Sequence, residues 1–177
     1  MYKKKYGKIT VSAWLNTEME RSNPFVMLTV GALLTAAGIL VRILVGSPYR
    51  TILMMSVRDM MPPVWLMTVA WSLAFFTVGC AAGFVFAYRI KGSKEEKYRG
   101  SLFFVLLAVS ELCWYPTVFG AHLLFIGLLE CILILILSLA VTFSFYRISK
   151  FAGMLLFLHD IWLIYMLILN FALLFRY

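Results

Sequence analysis

Charge is scarce in this chain. Only 14% of its 177 residues are Asp, Glu, Lys or Arg, against 63% from the apolar set of aliphatic, aromatic and sulfur-bearing residues. An ordinary soluble domain devotes about a quarter of its residues to charge, because a water-facing surface must be covered with polar groups. The shortage excludes a soluble globular domain and makes lipid the solvent. Acidic residues are scarcer still, eight against sixteen Lys and Arg, for a net charge of +8. Such an excess would suggest a nucleic-acid partner if it formed a patch. Here the basic residues sit mostly in short segments between long apolar runs, so no nucleic-acid partner is expected.

Cysteine is equally sparse. Cys80, Cys113 and Cys131 all fall inside apolar runs, and an odd count does not indicate a disulfide framework. Glycine-rich phosphate loops, paired Cys-x-x-Cys and His-Glu-x-x-His are all missing, so the signatures of soluble enzymes and of a metal site are not found. Lys3, Lys4, Lys5 and Lys8 make the N-terminus basic, but no apolar run follows before Phe25 and no small-residue cleavage site is evident. A cleaved signal peptide is therefore not expected.

Long apolar runs are what the sequence has in abundance. A helix needs about 20 apolar residues to cross a hydrocarbon core of about 30 Å. Five segments qualify, at 25–45, 63–88, 101–119, 123–146 and 151–175. The runs are continuous and do not alternate, which excludes a transmembrane β-barrel. The expected fold class is an all-α integral membrane protein, a five-helix bundle over residues 25–177. Residues 1–24 precede it. Ile9, Val11, Trp14, Leu15 and Met19 lie there among polar residues, and the segment reads either as an interfacial helix or as a solvated basic tail.

An odd number of spans puts the termini on opposite sides. One side collects Lys3, Lys4, Lys5, Lys8, Arg21, Arg89, Lys91, Lys94, Lys97, Arg99, Arg147 and Lys150; the other has Arg50, Arg58 and Arg176. Arg42 lies near the end of the first span, from which it can reach outward. Positive charge is retained inside, so the N-terminus is predicted inside and the C-terminus outside.

Ionisable groups within spans are costly, which makes Glu111, Glu130, His159 and Asp160 functional candidates. Glu111 and Glu130 lie about equally far from the Gly120-Ala121 turn, so antiparallel third and fourth spans hold them level, roughly 12–15 Å from the outer face at 1.5 Å per residue. Asp160 is roughly 13 Å from the inner face by the same rise. The carboxylates thus occupy different layers, which argues against a single acid pair. Glu111 reads equally as an uncharged carboxyl hydrogen-bonded between helices or as a ligand contact. His159 and Asp160 are adjacent, project about 100° apart, and cannot both line one narrow stripe.

Tryptophan is more suggestive. Trp71 and Phe75 are four residues apart on one face of the second span, Glu111 and Trp114 three apart on the third, and His159, Trp162, Met166 and Asn170 form a stripe on the fifth. Facing one another, these stripes would make an aromatic pocket with a few polar groups, suited to a flat apolar ligand. Trp65, near the start of its span, also fits an interfacial anchor. Gly79-x-x-x-Gly83, with Gly31, Thr35 and Gly38 on the first span, predicts close helix approach within the chain or in a homodimer.

These motifs resemble the translocator protein, or tryptophan-rich sensory protein (TspO/MBR), family. Pro62-Pro63-Val64-Trp65 and Trp71-Ser72-Leu73-Ala74-Phe75 are similar to its P-P-x-W and W-x-L-x-Y/F. Glu111-Leu112-Cys113-Trp114-Tyr115-Pro116 with Phe119-Gly120 is similar to L-N-x-x-W-x-P-x-F-F-G, and Trp162 with Leu169-Asn170-Phe171 to the fifth-span pattern. Glu130 falls where the family usually has an acidic residue. The likeness runs over roughly 31–177. It implies a five-helix bundle of a bacterial plasma membrane, often dimeric, that requires no cofactor and binds porphyrins and other flat apolar ligands under the loop between the first two spans. Carried over, Trp71, Phe75, Trp114, Trp162 and Asn170 line the pocket, with Pro63 and Trp65 on its loop side. Departures are as telling: Val57-Arg58-Asp59-Met60 replaces K-P-x-W, Glu111 replaces Asn, His159 and Asp160 replace a Tyr and an apolar residue, and Met166 replaces a commonly small one.

Three functions follow as expectations. The first is a membrane receptor or sensor for a tetrapyrrole or similar planar ligand, contacted by Pro63, Trp65, Trp71, Phe75, Glu111, Trp114, Trp162, Met166 and Asn170. The second is a porphyrin-degrading enzyme with Trp71 and Trp162 as redox-active catalytic candidates. The third is a small proton-coupled transporter of porphyrin-like or lipid-like compounds using Glu111, Glu130 and Asp160.

Overall fold

The computed structural model describes residues 11–46, 63–89 and 94–176. The basic N-terminal lysines, the connection holding Arg58 and Pro62, residues 90–93 and Tyr177 lie outside the described residues. Among the described residues six α-helices follow one another: α1 (Val11–Glu20), α2 (Pro24–Val45), α3 (Val64–Ala87), α4 (Lys94–Tyr115), α5 (Leu124–Ile148) and α6 (Lys150–Arg176), with a π-helical turn at Pro116–Gly120 between α4 and α5. No strand occurs among the described residues. Helices α2 to α6 are each long and apolar enough to cross a membrane, so the chain is an integral membrane protein with five spans.

Local chemistry sets the helix ends. Asn23 caps α2 by accepting the Phe25 N–H at 3.0 Å, with Pro24 at the first helical position. The same helix stops at Gly46, whose φ of +94° favours a residue without Cβ and whose N–H closes on the Arg42 carbonyl. Glu95 and Glu96 occupy the first turn of α4, where carboxylates complement the helix dipole. Ser149, between α5 and α6, accepts the Phe151 N–H on its hydroxyl and caps α6.

The spans form a ring in the spatial order α2, α3, α6, α5, α4, closed by a lesser contact between α4 and α2. Lipid tails are as apolar as the side chains, so helices gain by approaching closely and not by hiding from solvent. Glycines permit this between α2 and α3. A Cβ on Gly79 would stand 2.7 Å from the Gly31 Cα, and one on Gly83 would stand 2.7 Å from the Val26 carbonyl oxygen. The small-residue motif is therefore used inside the chain. Outward, Leu33, Leu44, Phe143, Phe157 and Ile168 are exposed toward the lipid.

Helix α1 is tied to the end of the bundle where α3 finishes and α6 begins. Glu18 is buried, and its Oε2 accepts from the Ser149 hydroxyl at 2.6 Å and the Tyr88 hydroxyl at 3.1 Å. The following linker is held by Ser22, which donates to the Phe84 carbonyl, and by the Arg21 carbonyl, which accepts from the Arg89 N–H. Burial pushes the Tyr88 phenol above its ordinary value; hydrogen bonding to Arg21 offsets part of this.

Candidate functional site

Three of the five tryptophans meet at the centre of the ring. Trp71 and Trp114 come from α3 and α4 with ring centroids 5.0 Å apart, and Phe75 and Tyr115 each lie 5.8 Å from Trp71. Such offset and edge contacts suit aromatic quadrupoles and hold the rings in place. Trp114 is further fixed by its indole N–H, which donates to the Gly127 carbonyl of α5 at 3.1 Å. The π turn packs against the same glycine: a Cβ on Gly127 would sit 2.3 Å from the Val118 Cγ2. Trp162 of α6 faces the same space.

These rings surround a small cavity of about 30 Å³, lined by Trp71, Ala74, Phe75, Glu111, Trp114, Cys131, Ile134, His159, Trp162, Leu163 and Met166. A second space of about 490 Å³ lies between α2 and α3, lined by Thr35, Gly38, Ile39, Arg42, Ile43, Gly46, Thr68, Trp71, Ser72 and Phe75. Trp71 and Phe75 belong to both, so they form the partition between them. The larger space falls within the range of about 300–1,000 Å³ common for small-molecule sites, and the smaller one alone does not.

One wall of the small cavity is polar. His159 Nε2 lies 2.7 Å from Glu111 Oε1, and both side chains are buried. The two lie within ion-pair distance but without the alignment of a hydrogen bond, and neither Glu111 oxygen has a hydrogen-bond partner. Behind the imidazole, His159 Nδ1 is 3.1 Å from the Ser138 hydroxyl. Ser138 donates to Asp160 Oδ1 at 2.5 Å, and Thr142 donates to Oδ2 at 2.9 Å. An unbroken chain of polar contacts thus crosses three helices, from Glu111 on α4 through His159 and Asp160 on α6 to Ser138 and Thr142 on α5.

The carboxylates form no single acid pair, in line with their different layers, yet they are linked through other polar groups. Glu111 and Asp160 do not touch, but His159 and Ser138 join them. The 100° offset between His159 and Asp160 holds: His159 lines the cavity, whereas Asp160 turns to the α5 hydroxyls. Glu130 is half-buried, its Oε2 has no hydrogen-bond partner, and it does not line the cavity.

Of the residues expected to contact a ligand, Trp71, Phe75, Glu111, Trp114, Trp162 and Met166 share the cavity. Asn170 is buried but not among the lining residues; its amide donates to the Met166 carbonyl at 2.7 Å, one turn back on its own helix. Pro63 and Trp65 are exposed, Trp65 at 67%, and line neither space. Ser138, Thr142 and Arg42 were not identified as site residues from sequence. The i, i+4 pair of hydroxyls at 138 and 142 in a leucine and isoleucine run was the available signal.

Comparison with known proteins agrees with the architecture. The chain is 30% identical over 113 residues to the tryptophan-rich protein TspO of Chlorobaculum tepidum, an alignment covering 64% of this chain and 70% of that protein. Residues 24–176, which include all five spans, match the profile of the TspO/MBR family. The chain belongs to the TspO/MBR family of membrane proteins.

Proposed function

We propose that this protein is a membrane receptor or sensor that binds a tetrapyrrole or similar planar apolar ligand between α2 and α3, against the tryptophan cluster. The observation that carries this reading is the 490 Å³ space whose inner wall is made by Trp71 and Phe75, backed by Trp114 and by Tyr115. Flat ring systems gain most from aromatic faces, and a mostly apolar wall with a few polar groups binds them without a large desolvation cost. Family membership supports a sensor or receptor type of role. The bacterial plasma membrane, with the N-terminus inside, is the setting that the charge distribution and the family support. A homodimer, in this reading, uses faces other than the glycine motif already engaged between α2 and α3.

The test is a titration of purified protein in lipid nanodiscs with protoporphyrin, followed by tryptophan fluorescence. Saturable quenching is expected, weakened at least several-fold in the Trp71→Ala, Phe75→Ala double variant, which removes the inner wall of that space. Unchanged affinity in that variant would overturn the site.

A further inference from the structure

The space between α2 and α3 has a charged group in its otherwise uncharged wall. On α2 it is lined by Thr35, Gly38, Ile39, Arg42, Ile43 and Gly46, a stripe at the three- and four-residue spacing of one helix face. Arg42 is the one charged side chain among the described residues that line it. Glycine stands one turn away on either side, at 38 and 46, so no neighbouring side chain crowds the guanidinium along the stripe.

A guanidinium keeps its charge at any pH that a folded protein meets, so the sign of this group is fixed. An arginine near the end of a span ordinarily serves to reach the water beyond it. Arg42 is half-buried and lines the space instead. Among the described residues no Asp or Glu forms an ion pair with it. Its place in the last turn of α2 gives it the negative end of the helix dipole, and the Tyr115 phenol lies beside it. A dipole and a neutral oxygen are not a counter-ion, and they leave most of the five N–H donors unmet. A charge held in an apolar wall without a partner is costly, and an anion in the space would remove the cost.

We infer that Arg42 is the anion-recognition residue of this site, and that the ligand is a flat ring system bearing a carboxylate, its rings against Trp71 and Phe75 and its acid group on the guanidinium. The backbone of α2 passes close to Phe75 at Gly38, where a Cβ would stand 3.3 Å from the ring. Arg42 lies one turn further along α2, about 6 Å at 1.5 Å per residue. A carboxylate at the edge of a ring that covers Phe75 therefore reaches Arg42 without leaving the 490 Å³ space. Guanidinium and carboxylate pair through two parallel N–H bonds, which fix the orientation of the ring system as well as holding it. One guanidinium also balances the single charge of a carboxylate, whereas a phosphate monoester would bring more charge than the wall can meet. The inference rests on the ligand site proposed above and names the group by which that site tells one planar molecule from another.

Protoporphyrin and its dimethyl ester test it, because they share one ring system and differ in whether the acid groups are free or capped. Both are titrated by tryptophan fluorescence into protein in nanodiscs of zwitterionic lipid, and each affinity is corrected for partition into empty nanodiscs. The wild type is expected to bind the acid about tenfold more tightly than the ester, the scale of one hydrogen bond to a charged group. Arg42→Gln should cost the acid about tenfold and the ester far less. Arg42→Lys, which keeps the charge and loses the planar fork, should retain part of the preference. Equal binding of acid and ester by the wild type, a preference that survives Arg42→Gln, or an equal loss of both ligands in that variant would overturn the anion site and leave the planar-ligand reading standing. Binding of neither by the wild type would overturn both. If Arg42→Gln does not fold, Arg42→Met, an apolar side chain suited to the bundle, takes its place and is read by the same outcomes.

Discussion

The imidazole of His159 stands 2.7 Å from the Glu111 carboxylate, with its other ring nitrogen 3.1 Å from the Ser138 hydroxyl. One side chain on α6 therefore connects a carboxylate on α4 with a hydroxyl on α5. In a bundle whose helices gain little from the hydrophobic effect, such cross-links help select one packing among many.

The Glu111 and His159 side chains should be energetically coupled. A double-mutant cycle with Glu111→Gln and His159→Gln, read by thermal unfolding in detergent or nanodiscs, is expected to give a coupling of about 0.5–3 kcal/mol. Strict additivity would show that the close approach contributes nothing.

Gly127 offers a test in which the sign is diagnostic. On an isolated helix Gly→Ala is favourable by about 1 kcal/mol. Here the new methyl would overlap Val118, so Gly127→Ala is expected to destabilise by about 1–3 kcal/mol. Adding Val118→Ala should recover part of the loss, and it would also show that the π turn tolerates a smaller residue.

Helix α1 should detach when the Glu18 contacts are removed. A spin label at the exposed Asn16 is expected to gain mobility in Glu18→Gln and in Tyr88→Phe, with the five spans intact by circular dichroism. The cost of losing one such hydrogen bond is about 0.5–1.5 kcal/mol.

The same contact makes a pH prediction. Burial raises the Tyr88 phenol in the folded protein, so folding holds its proton more tightly than the unfolded chain does. Its contribution is complete below the unfolded tyrosine value of about 10 and is lost as pH rises through the higher folded value. Mobility of the Asn16 label should climb in that alkaline window in the wild type, and the step should be missing in Tyr88→Phe.

Orientation is open to a reporter fused after Tyr177. Activity of a reporter that works only outside the cytoplasm is expected, because twelve of the sixteen basic residues lie on the opposite side. Activity of a cytoplasm-only reporter would reverse the topology.

Most of the cavity was legible in the sequence. Trp71 and Phe75 share a helix face because they are four apart, and Trp162 and Met166 do so for the same reason; each pair has one exposed-face alternative and the bundle needs only one inward face. Asn170 continues the same stripe yet misses the cavity. An amide has donors of its own, and here the Met166 carbonyl one turn away satisfies one of them. Spacing predicts which face a residue occupies, and says nothing about which neighbour its polar atoms choose.

The sequence by itself determined the solvent, the number of spans and the face each tryptophan occupies, because hydropathy and helical periodicity are properties of single segments. Tertiary structure alone decided that Glu111 meets His159, that the glycine motif is spent between α2 and α3, and that Glu18 anchors α1 to Ser149 and Tyr88. Each of these depends on which helices are neighbours in the ring and on their relative height. Several apolar spans of similar length can pack in many orders, and only close-range sterics and hydrogen bonding between helices select one.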